Sequence, residues 1–171
     1  MDSSEVPMMG AHGYCTQEMV NLLLTGKSTS NTFDGQKNFD TLVLKGITEK
    51  PDIGLLSLFE HYGSCVVGDF LKTPNFPIWV VCSESHFTVI FGLQRGAEIT
   101  STADRQIVEL IYYDELGRQD EPVYINIESS VVEHFFGKND SGDGIVSPIE
   151  HCLRTKWNDA KIHWKSGDPI L

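Results

Sequence analysis

Two side chains in this sequence have the type and setting for acyl-transfer chemistry, and a third group has the spacing of a cation loop. His86 opens the apolar run His86-Phe-Thr-Val-Ile-Phe-Gly-Leu93, directly after the polar turn Ser83-Glu84-Ser85. A histidine at the first residue of a strand is fixed by the sheet but still faces the rim, the combination a general base needs. A histidine hydrogen-bonded beside a hairpin turn is the plain alternative. Cys15 precedes Thr16, which can cap a helix over 16–25. There the helix dipole would favour the thiolate. A thiol at a helix start, served by a base from a distant strand, is the general plan of a cysteine hydrolase, and Cys15 with His86 fits it. The flanks Gly13-Tyr14 and Thr16-Gln17 lack the small-residue turn that exposes such a nucleophile, so a structural cysteine is the competing reading. The segment Asn139 to Glu150 nearly matches a calcium loop, with Asp143 fifth, Gly144 sixth, Val146 eighth and Glu150 twelfth. Asn139 stands first, where Asp is expected, and such loops normally pair. A solvated acidic turn is therefore preferred and no metal is expected.

The other histidines, His12, His61, His134, His151 and His163, show no i, i+4 pair and no HExxH. No glycine-rich phosphate loop follows a strand, and GxSxG is missing. The residues thus point away from metal, nucleotide and serine-hydrolase chemistry, and no cofactor is implied.

The elements that must position these groups follow from patterning. Residues 16–25 read as a helix, with Glu18 in the first turn, Met19, Val20, Leu22, Leu23 and Leu24 as the apolar face and Gly26 as the stop. Residues 27–40, rich in Ser, Thr, Asn and Gly, read as a loop. After Pro51, residues 53–62 predict a second helix ending at Gly63. Residues 65–71 look extended. Residues 77–82 and 86–93 predict a hairpin, and 107–113 with 123–127 a second one. The near-continuous apolar character of 78–82 and 107–113 predicts burial on both sheet faces. The tail after Asn139 reads as turn-rich, with a last strand over 160–164. Helices first and strands afterwards argue for an α+β fold in one region spanning 1–171.

Composition narrows the partners. The chain has 171 residues, of which 40% are hydrophobic and 22% charged, and its net charge is −11. This is globular composition, with enough length to bury a core. Such acidity disfavours nucleic acid and anionic membrane, and suits a basic-rimmed protein partner. No run of 18 apolar residues occurs and the N-terminus opens with acids, so a cytosolic or nuclear location is expected. Cys15, Cys65, Cys82 and Cys152 form no CxxC pair, so mostly buried free thiols are expected.

Several segments together resemble the MINDY family of cysteine deubiquitinases, in the branch of its third and fourth paralogues. They are Gly13-Tyr-Cys-Thr-Gln-Glu-Met-Val-Asn-Leu-Leu-Leu-Thr-Gly26 and Asp52-Ile-Gly-Leu-Leu-Ser-Leu-Phe-Glu-His-Tyr-Gly63. The stretch from Phe70 to Phe91, through Trp79-Val-Val-Cys-Ser-Glu-Ser-His-Phe87, is the longest. Arg154-Thr-Lys-Trp157 and the terminal Asp168-Pro-Ile-Leu171 add to it. The resemblance covers nearly the whole chain, the acidic loop at 138–147 being least alike. It implies a papain-like half-domain and a thiol-dependent isopeptidase acting on ubiquitin and on polyubiquitin of the proteasome-targeting lysine linkage. It places His86, in Ser85-His86-Phe87, on the family's proton acceptor. It lowers Cys15, because the matching family segment does not carry the nucleophile. That nucleophile lies in a Cys-Gly turn further upstream, which these residues lack. The expectation is therefore the C-terminal part of a catalytic domain, inactive alone. The alternatives are an inactive ubiquitin-binding paralogue, Cys15 as a substitute nucleophile, and an acidic calcium-responsive adaptor using 139–150.

Overall fold

The computed structural model describes residues 7–93, 99–101, 105–130 and 146–165. Their main feature is a mixed sheet, flanked on both faces by short helices.

Helix α1 spans Gln17–Thr25. Gly26 ends it in the left-handed conformation at φ 73°, and its N–H donates to the Leu22 carbonyl. This is the glycine C-cap read from the sequence. Thr16 occupies the N-cap position, but its hydroxyl donates to the Met8 carbonyl at 3.1 Å and leaves the helix amides to other partners. The predicted loop 27–40 is only partly a loop. Its end forms strand β1, Gln36–Phe39, which pairs antiparallel with β2, Leu42–Lys45, as a separate two-stranded ribbon.

The predicted helix over 53–62 is corrected. Gly54–Ser57 is strand β3, buried at every residue, and only Leu58–His61 turns helical, as α2. A four-residue apolar run buried on both faces satisfies a central strand as readily as a helix, and periodicity cannot separate the two. The tertiary setting decides, because β3 pairs parallel with β4, Ile78–Ser83. The crossover between them holds α2 and then α3, Asp69–Lys72, where the sequence suggested extended chain. The simple order of helices followed by antiparallel hairpins gives way to a mixed α/β arrangement, still within the broad α+β class.

From β4 onward the predicted hairpins and the last strand form, with one further strand and one helix that the sequence did not suggest. Strand β5, His86–Phe91, returns antiparallel to β4 across a two-residue turn, with Ser83 opposite His86. Glu84 takes up the turn at φ 57°. Three more strands follow: β6, Ile99–Ser101; β7, Arg105–Tyr113; and β8, Val123–Ser130. Helix α4, Pro148–Arg154, and strand β9, Lys161–Trp164, complete the described chain. The sheet order is β3-β4-β5-β7-β8-β9, with β6 also paired to β7. Helix α4 lies in the tail expected to be turn-rich. Its signal is Ser147-Pro-Ile-Glu150: Ser147 caps the Glu150 amide, and Pro148 sits at the first helical position.

Side chains alternate across the strands, which defines two faces. One carries Trp79, Val81, Ile90, Val108, Leu110, Tyr112, Ile125 and Ile127, and is covered by Ile149, Cys152 and Leu153 of α4. The other carries Leu55 and Cys82, and is covered by Leu71 of α3 with Val20 and Leu24 of α1. All four cysteines are free thiols, with Cys82 and Cys152 buried and Cys15 exposed.

Candidate functional site

The end of the sheet where β5 begins and β7 ends brings a histidine and a carboxylate together. His86, Thr88 and Ile90 point to the α4-covered face. Tyr112 pairs with Ile90 across β5 and β7, and two residues beyond it Asp114 points to the same side. The ring Nε2 of His86 lies 3.0 Å from Oδ2 of Asp114. The histidine side chain is 19% exposed and the carboxylate 7%, so one partner reaches solvent and the other does not.

Asp114 is held from several directions. It caps a short 3-10 turn, Glu115–Gly117, where its Oδ1 accepts the Leu116 N–H at 2.9 Å. Its own N–H donates to Oε1 of Gln119 at 2.8 Å. The Tyr112 hydroxyl lies 3.5 Å from Oδ2. Burial, with the Asp114 charge adding to it, pushes that phenol up to about 12. Tyr112 therefore stays a protonated donor facing the carboxylate.

Cys15 is placed elsewhere. It follows a 3-10 turn, Ala11–Gly13, and lines a cavity of about 290 Å³ with Tyr14, Leu55, Ser57, Cys82 and Phe87. Those β3, β4 and β5 side chains point to the face opposite His86. The structure thus separates the two groups that the sequence could combine as nucleophile and base. Of the other three thiols, Cys65 is partly buried, and Cys82 and Cys152 are buried and unreactive in character. Burial, then a neighbouring thiol, pushes Cys82 up to about 11 and Cys152 up to about 12.

Of the calcium-loop residues, Asn139 and Asp143 lie outside the described residues. Glu150 lies in the first turn of α4. One of its oxygens accepts Trp164 Nε1–H at 3.1 Å and the other accepts from Arg154 at 3.3 Å. A carboxylate held in this way ties α4 to β9. Among the described residues, no cluster of three or more His, Cys, Asp or Glu could hold a metal.

The sequence singles out His86 at a strand opening, where the structure has it, but does not single out Asp114. The two are 28 residues apart, and only the β5–β7 pairing brings them together. The available cue was an Asp after a long apolar strand, a pattern with little specificity by itself.

A conserved-domain profile for the deubiquitinating enzyme MINDY-3/4 matches residues 1–166. The chain belongs to this family of cysteine deubiquitinases, with a solvent-touched histidine at the opening of a central strand. It is 48% identical over 169 residues to human Probable ubiquitin carboxyl-terminal hydrolase MINDY-4, and 49% identical to the cattle protein of that name. Each match covers 96% of this chain and 22% of the relative, so the chain spans about a fifth of these relatives' length. Cattle ubiquitin carboxyl-terminal hydrolase MINDY-3 is 46% identical over 91 residues, covering 53% of this chain and 20% of that protein. No solved structure matches.

Proposed function

We propose that this chain supplies the histidine side of a thiol-dependent ubiquitin isopeptidase, with His86 as the general base. The observation that carries the reading is the setting of His86. It stands in Ser85-His86-Phe87 at the head of β5, anchored by the sheet and 19% exposed, in a chain that matches a deubiquitinase family over nearly all its length. A base of this kind takes the proton of a thiol as its sulfur attacks the isopeptide carbonyl, and returns it to the departing lysine amine. Separation of Cys15 from His86 by the sheet supports a nucleophile drawn from sequence outside these residues, in a papain-like arrangement of two halves. The substrate is ubiquitin, with chains of the proteasome-targeting lysine linkage as the preferred form. The net charge of −11 suits ubiquitin's apolar patch, which basic side chains surround.

Turnover of lysine-linked diubiquitin by the longer protein that includes this region tests the reading. His86→Ala should lower turnover about 10²–10⁴-fold, with ubiquitin binding retained. Unchanged turnover in His86→Ala would overturn the assignment. Binding of polyubiquitin with no hydrolysis by the unaltered protein would favour an inactive ubiquitin-binding paralogue. A ubiquitin probe with a C-terminal electrophile should leave Cys15 unlabelled, and labelling lost in His86→Ala would make Cys15 the nucleophile.

A further inference from the structure

We propose that Asp114 is the positioning residue of His86: its carboxylate holds the imidazole as the Nε2–H tautomer and leaves Nδ1 as the basic nitrogen. The role rests on the reading of His86 as a base, but the tautomer itself does not.

The geometry gives the reason. An ionised carboxylate only accepts hydrogen bonds, so across the 3.0 Å contact the proton sits on Nε2. A neutral imidazole then has its lone pair on Nδ1. Asp114 cannot easily turn away. Leu116 N–H donates to its Oδ1, its backbone N–H donates to Gln119, and the side chain is 7% exposed. When Nδ1 takes a proton from a thiol, the sulfur becomes a thiolate and the ring an imidazolium. The buried carboxylate beside Nε2 then stabilises that new positive charge without accepting the proton itself.

The same contacts specify what Asp114→Asn will do. Leu116 N–H needs an acceptor, so the amide oxygen turns toward it and the amide NH2 toward His86. Nε2 can then meet the NH2 group only with its lone pair. The proton moves to Nδ1, and the basic nitrogen ends up pointing at Asp114's replacement.

Long-range proton–nitrogen NMR of the imidazole tests this on the chain itself, at a pH where the ring is neutral. The unaltered chain should show the Nε2–H tautomer and Asp114→Asn the Nδ1–H tautomer. Asp114→Ala, checked for folding by its amide spectrum, should show a mixture. A Nδ1–H tautomer in the unaltered chain, or one unchanged in all three, would overturn the proposal. In the longer thiol-bearing protein, Asp114→Asn should lower kcat about 10²–10⁴-fold at unchanged KM, and Asp114→Glu should recover part of the loss. An equal rise in KM with kcat intact would indicate a merely structural contact and overturn it. Absence of isopeptidase turnover in the unaltered protein would count against the proposed function alone, leaving the tautomer result to stand.

Discussion

Lys156 holds its ammonium 5.2 Å from the Trp79 ring and 5.0 Å from the Trp157 ring. The two rings meet edge to face at 5.5 Å. Aromatic faces favour a cation. Burial opposes it, Lys50 and Lys72 add repulsion, and Asp69 compensates only in part, so the amine is pushed down to about 8. The sign for stability follows. Unfolded lysine keeps its proton to near 10.4, so between about pH 8 and 10.4 the unfolded chain binds more protons and this residue's burden on the fold lifts as pH rises. Lys156→Met should therefore stabilise the chain most below pH 8, and its advantage should shrink toward pH 10. Thermal melts of both chains across that range check this, and a pH-independent difference would refute it. The buried thiols Cys82 and Cys152 act in the opposite direction above pH 9, but equally in both chains.

Asn21 makes a related point about single residues. It sits on α1 among leucines and is the helix's one fully buried residue. Its amide donates to the carbonyls of Thr29 at 2.8 Å and Asn31 at 3.0 Å, and its oxygen accepts from Gln17. A helical wheel places it as polar and outward, whereas the loop folding back over α1 makes it the anchor.

At the scale of elements, β3 shows why local pattern misleads. Gly54 starts this strand, and a Cβ there would lie 2.2 Å from the Leu71 carbonyl oxygen and 2.6 Å from the Trp79 ring. The close approach lets α3 and β4 pack on the strand, and it also lets Trp79 Nε1–H reach the Lys72 carbonyl at 2.9 Å. Gly54→Ala should cost about 1–3 kcal/mol by overpacking, read as a lowered denaturation midpoint. A neutral effect would show that α3 is loosely docked. Read as a helix, the same glycine is only a weak spot. Helix α4 is the reverse case: its cap and proline were present in the sequence, but a near-match to a calcium loop claimed Glu150 for another role. The β4–β5 and β7–β8 hairpins were legible because they are local. Burial on both faces, expected from apolar composition, holds along β4 but only in part along β7, where Tyr113 is exposed.

At the scale of the molecule, several large apolar side chains are exposed among the described residues, including Leu23 on α1, Phe59 on α2 and Tyr62 just after it. The ribbon of β1 and β2 presents Phe39, Leu42 and Val43 together, each about half exposed. Exposed apolar strands of this kind are sites of association. Sedimentation of the chain should show concentration-dependent self-association that weakens in Phe39→Ser with Leu42→Ser. A monomer at all concentrations would contradict this, and charge repulsion at −11 would then dominate.

Sequence alone determined the local features: α1 with its glycine stop, the two hairpins, the apolar strands and His86 at a strand's opening. Each depends on neighbours a few residues away, through turn chemistry, capping and alternation. Tertiary structure decided that 54–57 is a strand, that Cys15 and His86 lie on opposite faces of the sheet, and that Asp114 meets His86. Those outcomes depend on strand order and register, which join residues tens of positions apart and leave no trace in local spacing.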